Sequence, residues 1–228
     1  MCDILVVSRF NEDTAWSNGI AGRVIIIDKS TGNIGRESLT YTQFVIENYR
    51  GDIGGEEVVC FAQGSIGGPQ LKKKLLRHTD ISKAINVSSL RHDRFTPLMP
   101  KYQRYSTFDK CGRPHDFLPC MQNISRSLNV DIPTGAYYGA YFATRMKYLR
   151  QTPLSTWWFI YNKHFDLKCR LPWIMERLWE EIIRHGANHL IGRKRYEHVT
   201  TKKTSCDRRS VHHTAYDSLK NKRNAPVS

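Results

Sequence analysis

The stretch RVIIIDKSTGNIGRESLTYTQFVIENYRG (Arg23–Gly51) indicates the class of fold. Its first part, RVIIIDKS, is a β-branched apolar run that predicts a buried strand over 23–30. From Arg36 to Tyr49, apolar residues at 41, 44, 45 and 49 follow helical spacing, and Gly51 is suited to end that helix. A strand followed by a short loop and an amphipathic helix is the building unit of an α/β sheet.

Two similar apolar runs flank this unit and predict further buried strands. They are DILVVSRF (Asp3–Phe10) and EEVVCFAQGS (Glu56–Ser65). Continuous apolar strands alternating with a helix are typical of a mainly parallel sheet that is covered on both faces. We therefore expect a single α/β domain over residues 1–192, with a mainly parallel sheet flanked by helices.

The second half of the chain mixes helical patterns with an irregular region. Spacing predicts a strand over Ala136–Thr144, and the irregular stretch over 92–117 is rich in Pro, Gly and aromatic residues and reads as a loop that faces substrate. The predicted helices are Pro69–Ile85, Cys120–Leu128, Pro153–His164 and Leu171–His185.

The net charge of +14 is divided between the domain and the end of the chain. Over 193–223, ten Lys or Arg residues face three Asp or Glu residues, a balance of +7. The tail over 193–228 is either a solvated, poorly ordered extension or an arm for nucleic acid or a membrane surface. Its only aromatic residues are Tyr196 and Tyr216, too few to stack on bases, so nucleic acid is a disfavoured partner.

Cysteine usage and hydropathy bear on the compartment. The six Cys residues are scattered, with no CxxC pair and no zinc spacing, which predicts reduced thiols. The N-terminus MCDILVVSRF lacks the features of a secretory signal, and no apolar run approaches the roughly 18 residues of a membrane span. We expect a cytoplasmic protein without a transmembrane segment.

Polar side chains follow each of the first three predicted strands. The clusters are Arg9–Asn11–Glu12–Asp13, Asp28–Lys29 and Gln63–Gly64–Ser65. Ligands of open α/β sheets bind beyond the carboxyl ends of the strands, where a carboxylate can accept a bond from a ribose hydroxyl and an Arg can neutralise phosphate. The alternative is that loop ends are polar in any α/β protein, and the pattern leaves both open.

The loop GNIGRES before the first helix is not a known phosphate motif. It fits neither the P-loop spacing nor GxGxxG. Backbone amides from Asn33 to Arg36 are suited to a phosphate at the helix start. The alternative is a plain helix start, in which the helix dipole favours Glu37.

Glu176 and Glu180 share one face of the last predicted helix. Glu176 lies beside the apolar stripe, where a carboxylate can have a raised pKa and act as a general base. An ordinary solvated face is the alternative, and spacing alone favours it.

Several segments carry a resemblance to a known family. In order, they are VVSRFNEDTAWS, NIGRESLTYTQFVIENY, VVCFAQGS, YYGAYFATRMKYLRQTP and ERLWEEII. Over Asp3–His185 the chain resembles a domain family of unknown function from fungi and from large DNA viruses of algae. Members of that family resemble divergent glycosyltransferases of the GT-A fold.

The resemblance implies a GT-A-like, Rossmann-like sheet and a nucleotide-sugar donor, from which a sugar passes to a hydroxyl of a glycan or protein-glycan acceptor. It implies that Glu176 is the general base or orients the acceptor hydroxyl. The residues it implies for the donor site are Arg9, Asp28, Arg36, Glu37, Gln63 and Gly64. The strand-end and loop patterns described above add Asn11, Glu12 and Asn33 to the candidates.

One departure from the family pattern concerns the metal. GT-A enzymes carry a DxD motif where this chain has Gln63–Gly64, and CFAQGS contains no acidic residue. Either Arg and Lys neutralise the diphosphate, or carboxylates elsewhere hold Mn²⁺ or Mg²⁺, with Asp109 and Asp116 as candidates. A catalytically inactive sugar-binding relative and a non-enzymatic nucleic-acid-binding protein that uses its tail remain the alternatives.

Overall fold

The first and third strands are apolar on both sides because the sheet is covered on both faces. In Ile4–Arg9 (β1), Ile4 and Val6 join the larger of two core clusters, whereas Leu5 and Val7 join the smaller one. Val58–Gln63 (β3) alternates in the same way. The prediction of a sheet buried on both faces is confirmed for these strands.

The computed structural model describes residues 2–29, 36–64, 93–98, 102–104, 118–133, 135–137, 141–166 and 171–187. The remaining strands are Arg23–Asp28 (β2), Thr96–Pro97 (β4), Tyr102–Arg104 (β5), Gly135–Tyr137 (β6) and Phe142–Arg145 (β7). The helices are Arg36–Glu47 (α1), Leu118–Leu128 (α2), Met146–Leu149 (α3), Leu154–Lys163 (α4) and Leu171–His185 (α5).

The main sheet is mixed. Its strand order is β2-β1-β3-β7-β4, and β5 pairs with β6 in a separate two-stranded sheet. The pairs β1–β2 and β1–β3 are parallel, whereas β3–β7 and β4–β7 are antiparallel. The α/β class is confirmed, and the prediction of a mainly parallel sheet holds in part: β1, β2 and β3 are paired in parallel, whereas β7 runs antiparallel to both of its neighbours.

Two other predictions in the second half are corrected. The strand expected over Ala136–Thr144 is divided between β6 and β7, which belong to different sheets. The stretch expected to be loop contains β4 and β5. The predicted helix over Pro69–Ile85 and the tail over 193–228 lie outside the described residues.

The last helix, α5, closes the larger cluster as its periodicity predicts. It buries residues at the spacing of one helical face, namely Leu171, Ile174, Met175, Leu178, Trp179, Ile182 and Ile183. Trp179 lies over Trp157 of α4, with ring centroids 5.9 Å apart. Gly186 then adopts φ of 73°, and its N–H donates to the Ile182 carbonyl at 2.9 Å, a helix end that favours glycine.

A disulfide joins Cys2 to Cys60, whose Cα atoms are 6.0 Å apart. Both residues lie in the smaller core cluster. The prediction of reduced thiols is therefore wrong for this pair, and the expectation of a cytoplasmic protein loses the support of free thiols. Within the part of the chain that the structure describes, no helix has the length and apolar character needed to cross a membrane.

Candidate functional site

Arg9 and Asp28 end the parallel strands β1 and β2 side by side. The Arg9 guanidinium donates to both carboxylate oxygens, with Nε 2.5 Å from Oδ1 and Nη2 2.6 Å from Oδ2. Hydrogen bonding to Arg9 lowers the pKa of Asp28 below its usual range. The pair is well exposed to solvent, so it presents a fixed carboxylate and guanidinium at the carboxyl edge of the sheet.

The loop after β1 contacts the end of β3 at Gly64. The Gly64 N–H donates to the Ser8 carbonyl at 2.7 Å, and Trp16 Nε1 donates to the Gly64 carbonyl at 3.2 Å. A Cβ at position 64 would come within 2.9 Å of Glu12 Oε2 and 3.1 Å of the Ser8 carbonyl oxygen. Close approach therefore favours glycine here, and the Glu12 carboxylate lies beside the end of β3.

Glu12 is held in turn by the backbone of its own loop. Its Oε2 accepts a hydrogen bond from the Phe10 N–H. Asn11, between these residues, has φ of 60°, a left-handed conformation that Asn adopts more readily than most residues. The loop thus brings the Glu12 carboxylate close to Gly64, the position at which the resemblance implies a DxD motif. This carboxylate comes from the loop after β1 and not from the end of β3.

Lys29 links the strand edge to the first helix. It follows β2, and its N–H donates to the Arg9 carbonyl at 3.0 Å. Burial lowers the pKa of the Lys29 ammonium, while Glu37 and Glu12 raise it and Arg36 lowers it further. The ammonium therefore lies within the electrostatic reach of both carboxylates.

Glu37 is a buried carboxyl group, with only 7% of the residue exposed. Burial raises the pKa of Glu37 above its ordinary value, its backbone N–H, Arg36 and Lys29 oppose that rise, and Glu176 adds to it. The pKa of Glu37 is therefore influenced both by Lys29, which follows β2, and by Glu176 on α5.

Glu176 is half-buried on α5, and its charge also acts on Tyr41. Tyr41 is fully buried, and burial first, then Glu37, Tyr141 and Glu176, raises the pKa of its phenol. Its hydroxyl has no hydrogen-bond partner among the described residues. A buried hydroxyl without a partner is uncommon, and leaving it unpaired costs about 1–3 kcal/mol.

Arg36, at the start of α1, stacks on the last helix. Its guanidinium carbon lies 4.5 Å from the centroid of the Trp173 ring, and its backbone has φ of 48°. A left-handed conformation at an arginine costs about 1–2 kcal/mol, so its surroundings must hold it there. The first turn of α1 and the first turn of α5 therefore meet at this pair.

Two buried hydrogen bonds fix the first turn of α1. Thr40 Oγ1 accepts from Ser8 Oγ of β1 at 3.0 Å. Ser38 Oγ lies 2.5 Å from His164 Nε2, and His164 Nδ1 lies 2.9 Å from the Ile160 carbonyl oxygen. That carbonyl can only accept, so Nδ1 carries the proton and Nε2 accepts from the Ser38 hydroxyl. These contacts fix the backbone that directly follows Glu37.

The structure brings most of the predicted site residues to one region. Glu12, Arg36, Glu37 and Glu176 are connected electrostatically through Lys29 and Glu37, and Arg9 with Asp28 and Gln63 with Gly64 end the adjoining strands. Asn33, Asp109 and Asp116 lie outside the described residues.

Sequence reasoning missed several members of this region. Lys29 directly follows β2, so the strand-end pattern that singles out Asp28 applies equally to Lys29. Trp173 precedes Glu176 by three residues, a spacing that places both on one side of α5. Tyr41 is one turn from Glu37 but was read only as a core position. Trp16 had no local signal.

The described residues do not by themselves form a metal site. Nowhere in the ranges that the structure covers do three His, Cys, Asp or Glu side chains converge as ligands for an ion. Glu12 is an oxygen ligand of the kind that Mg²⁺ and Mn²⁺ prefer, but it stands without a second carboxylate in a metal-binding arrangement in this part of the chain.

Comparisons with known proteins do not indicate a function, so the function has to be inferred from the residues of the site. No protein-family model, curated protein or solved structure matches the chain.

Proposed function

We propose that the chain is a glycosyltransferase that transfers a sugar from a nucleotide-sugar donor to a hydroxyl of a glycan or protein-glycan acceptor. The observation that carries the proposal is the placement of Glu37, whose charge interacts with Lys29 beside the strand ends and with Glu176 on α5. Glu37 is buried and Glu176 is half-buried, so the two carboxylates differ in hydration, which suits acid–base chemistry.

The donor binds over the carboxyl ends of β1 and β2. The Asp28 carboxylate, oriented by Arg9, accepts from ribose hydroxyls. Lys29 and Arg36 supply positive charge for the diphosphate, on the same side as Glu12 and Glu37. A GT-A-like arrangement of the donor fits a sheet in which β2, β1 and β3 run parallel.

Glu176 is the base in this scheme. The acceptor oxygen forms a bond to the anomeric carbon of the donor sugar, the bond from that carbon to the diphosphate oxygen breaks, and the leaving diphosphate takes the electron pair. The acceptor proton passes to Glu176, which is half-buried and therefore open to the acceptor. Glu37, more deeply buried, keeps the region electrostatically balanced against Lys29 and Arg36.

The first experiment measures thermal stabilisation by UDP, GDP, CDP and ADP, each with and without Mn²⁺ or Mg²⁺. We expect one nucleoside diphosphate to raise Tm, because a ligand that binds only the folded state stabilises it. Absence of any shift, with metal present and absent, would contradict the proposal.

The second experiment compares donor hydrolysis by Glu176→Gln and Glu180→Gln. Glu180 lies one turn further along α5 and accepts a hydrogen bond from Arg184 Nε at 2.8 Å, so it offers a matched control outside the site. We expect Glu176→Gln to lose activity while Glu180→Gln retains it. Nucleotide binding by a wild-type protein that hydrolyses no donor would instead identify an inactive sugar-binding relative.

A further inference from the structure

Trp173 is an exposed indole at the start of an otherwise well-buried helix. It is 42% exposed, whereas Leu171 and Ile174 beside it are 1% and 0% exposed. Tryptophan carries one of the largest apolar surfaces of any side chain, so leaving it in water forfeits a substantial burial gain. Such a residue in a functional region suggests a surface for a ligand.

The orientation of Trp173 is fixed by Arg36. The guanidinium lies 4.5 Å from the ring centroid, a cation–π distance. Arg36 adopts a left-handed backbone conformation at this place. The indole is therefore held by a charged partner and is not a loose surface side chain.

Two glutamates are close in sequence to the residues of this contact. Glu176 is one turn after Trp173 on the same side of α5, and Glu37 follows Arg36 directly. Carboxylates accept hydrogen bonds from hydroxyl groups but repel phosphate. A flat aromatic face beside hydrogen-bond acceptors fits a neutral, polyhydroxylated ring better than it fits a nucleotide.

We propose that Trp173 is the platform for the acceptor: a pyranose ring stacks on the indole and directs a hydroxyl to Glu176. This inference rests on the proposed function, since it assigns the acceptor side of the same site. It makes a neutral pyranose glycan the acceptor class and places that glycan against α5, away from the Arg9–Asp28 pair.

The test uses the full chain and two separate ligands. Methyl glucoside, methyl galactoside and methyl mannoside probe the platform by saturation-transfer NMR, and UDP, GDP, CDP and ADP probe the donor side by thermal shift. The variants are Trp173→Ala, Trp173→Phe and, as a matched control, Trp158→Ala on α4, where the indole is 46% exposed.

We expect at least one methyl pyranoside to bind the wild type, with transfer strongest to the ring C–H protons. Trp173→Ala should weaken that binding about tenfold, the scale of one aromatic contact, whereas Trp173→Phe should restore most of it. Trp158→Ala should bind as the wild type does. Diphosphate binding should be unchanged in Trp158→Ala, and in the Trp173 variants it should change less than pyranoside binding, because Trp173 reaches the donor side only through its contact with Arg36.

The outcomes separate this inference from the proposed function. The platform is refuted if no pyranoside binds, if Trp173→Ala binds pyranosides as well as wild type does, or if Trp173→Ala weakens diphosphate binding more than pyranoside binding, which would make the indole a base platform. If the wild type binds none of the nucleoside diphosphates, the donor assignment is refuted. The pyranoside measurements still test whether Trp173 is the acceptor platform. If Trp173→Ala fails to fold, Trp173→Tyr and Trp173→Leu give the same comparison of ring against no ring.

Discussion

Protonation of His164 should destabilise the fold by an amount that the structure allows us to work out. The imidazole is 3% exposed, and burial lowers its pKa from 6.5 to about 4, although carbonyls of Ile160 and Tyr161 oppose the change. At 1.36 kcal/mol per pH unit, that interval corresponds to about 3 kcal/mol.

The direction in which stability changes with pH follows from which state, folded or unfolded, binds the proton. Between about pH 6.5 and about pH 4 the unfolded chain is protonated at His164 and the folded chain is not, so the free energy of unfolding falls as pH decreases. The contribution is fully present above the unfolded value and is lost as pH falls through the folded one. The His164→Gln variant cannot take up this proton, so its free energy of unfolding should fall less steeply as pH decreases.

Urea denaturation of wild type and His164→Gln across this pH range provides the measurement. The difference between their unfolding free energies should change by about 3 kcal/mol from neutral pH to about pH 4. The His185→Gln variant is the control, because its ring is 68% exposed on the last turn of α5. Parallel stability curves for wild type and His164→Gln would refute the reasoning.

Four further predictions concern the site and its supports. Glu176→Gln should reduce kcat for transfer by roughly 10²–10⁴-fold with an unchanged circular dichroism spectrum, and equal rates would remove it as the base. Asp28→Asn should leave Tm nearly unchanged but raise the Kd of the nucleoside diphosphate by titration, since the Arg9–Asp28 pair is exposed; an unaltered Kd would place the ribose elsewhere. Asn11→Ala should lower the free energy of unfolding by about 1 kcal/mol and Asn11→Gly should not, because φ is 60° there; equal urea midpoints would contradict a strained backbone. Tyr41→Phe should raise the unfolding free energy by about 1 kcal/mol if the hydroxyl lacks a partner, and a decrease would reveal a bound water.

Local pattern was sufficient for the elements that decide the class of fold. β1, β2, β3 and α1 begin and end within about two residues of their predicted bounds, because a short apolar run or an uninterrupted helical face leaves few alternatives. The direction of β7 was not predictable in this way. It depends on pairing with β3, more than seventy residues earlier, and no feature of Phe142–Arg145 encodes a partner or a direction.

The residues of the candidate site likewise differ in whether local sequence pattern predicts them. Strand-end residues such as Arg9, Asp28 and Gly64 were predictable because topology alone places them at one edge. The burial of Glu37 was not, since helix-dipole reasoning places a glutamate at that position equally well in water. Its desolvation arises only in the packed fold, and the Ser38–His164 contact beside it joins residues 126 positions apart.

The first turn of α1 has a consequence for how the chain can vary. Arg36 contacts α5, Ser38 contacts α4 and Thr40 contacts β1, so one short turn is tied to three neighbours. Residues that share partners are energetically non-additive, and a change at one of them is tolerated only with a matching change in its partner. Sequence drift should therefore appear here as compensated pairs, and laboratory selection for altered ligands should find more freedom in the loop after β1 than in this turn.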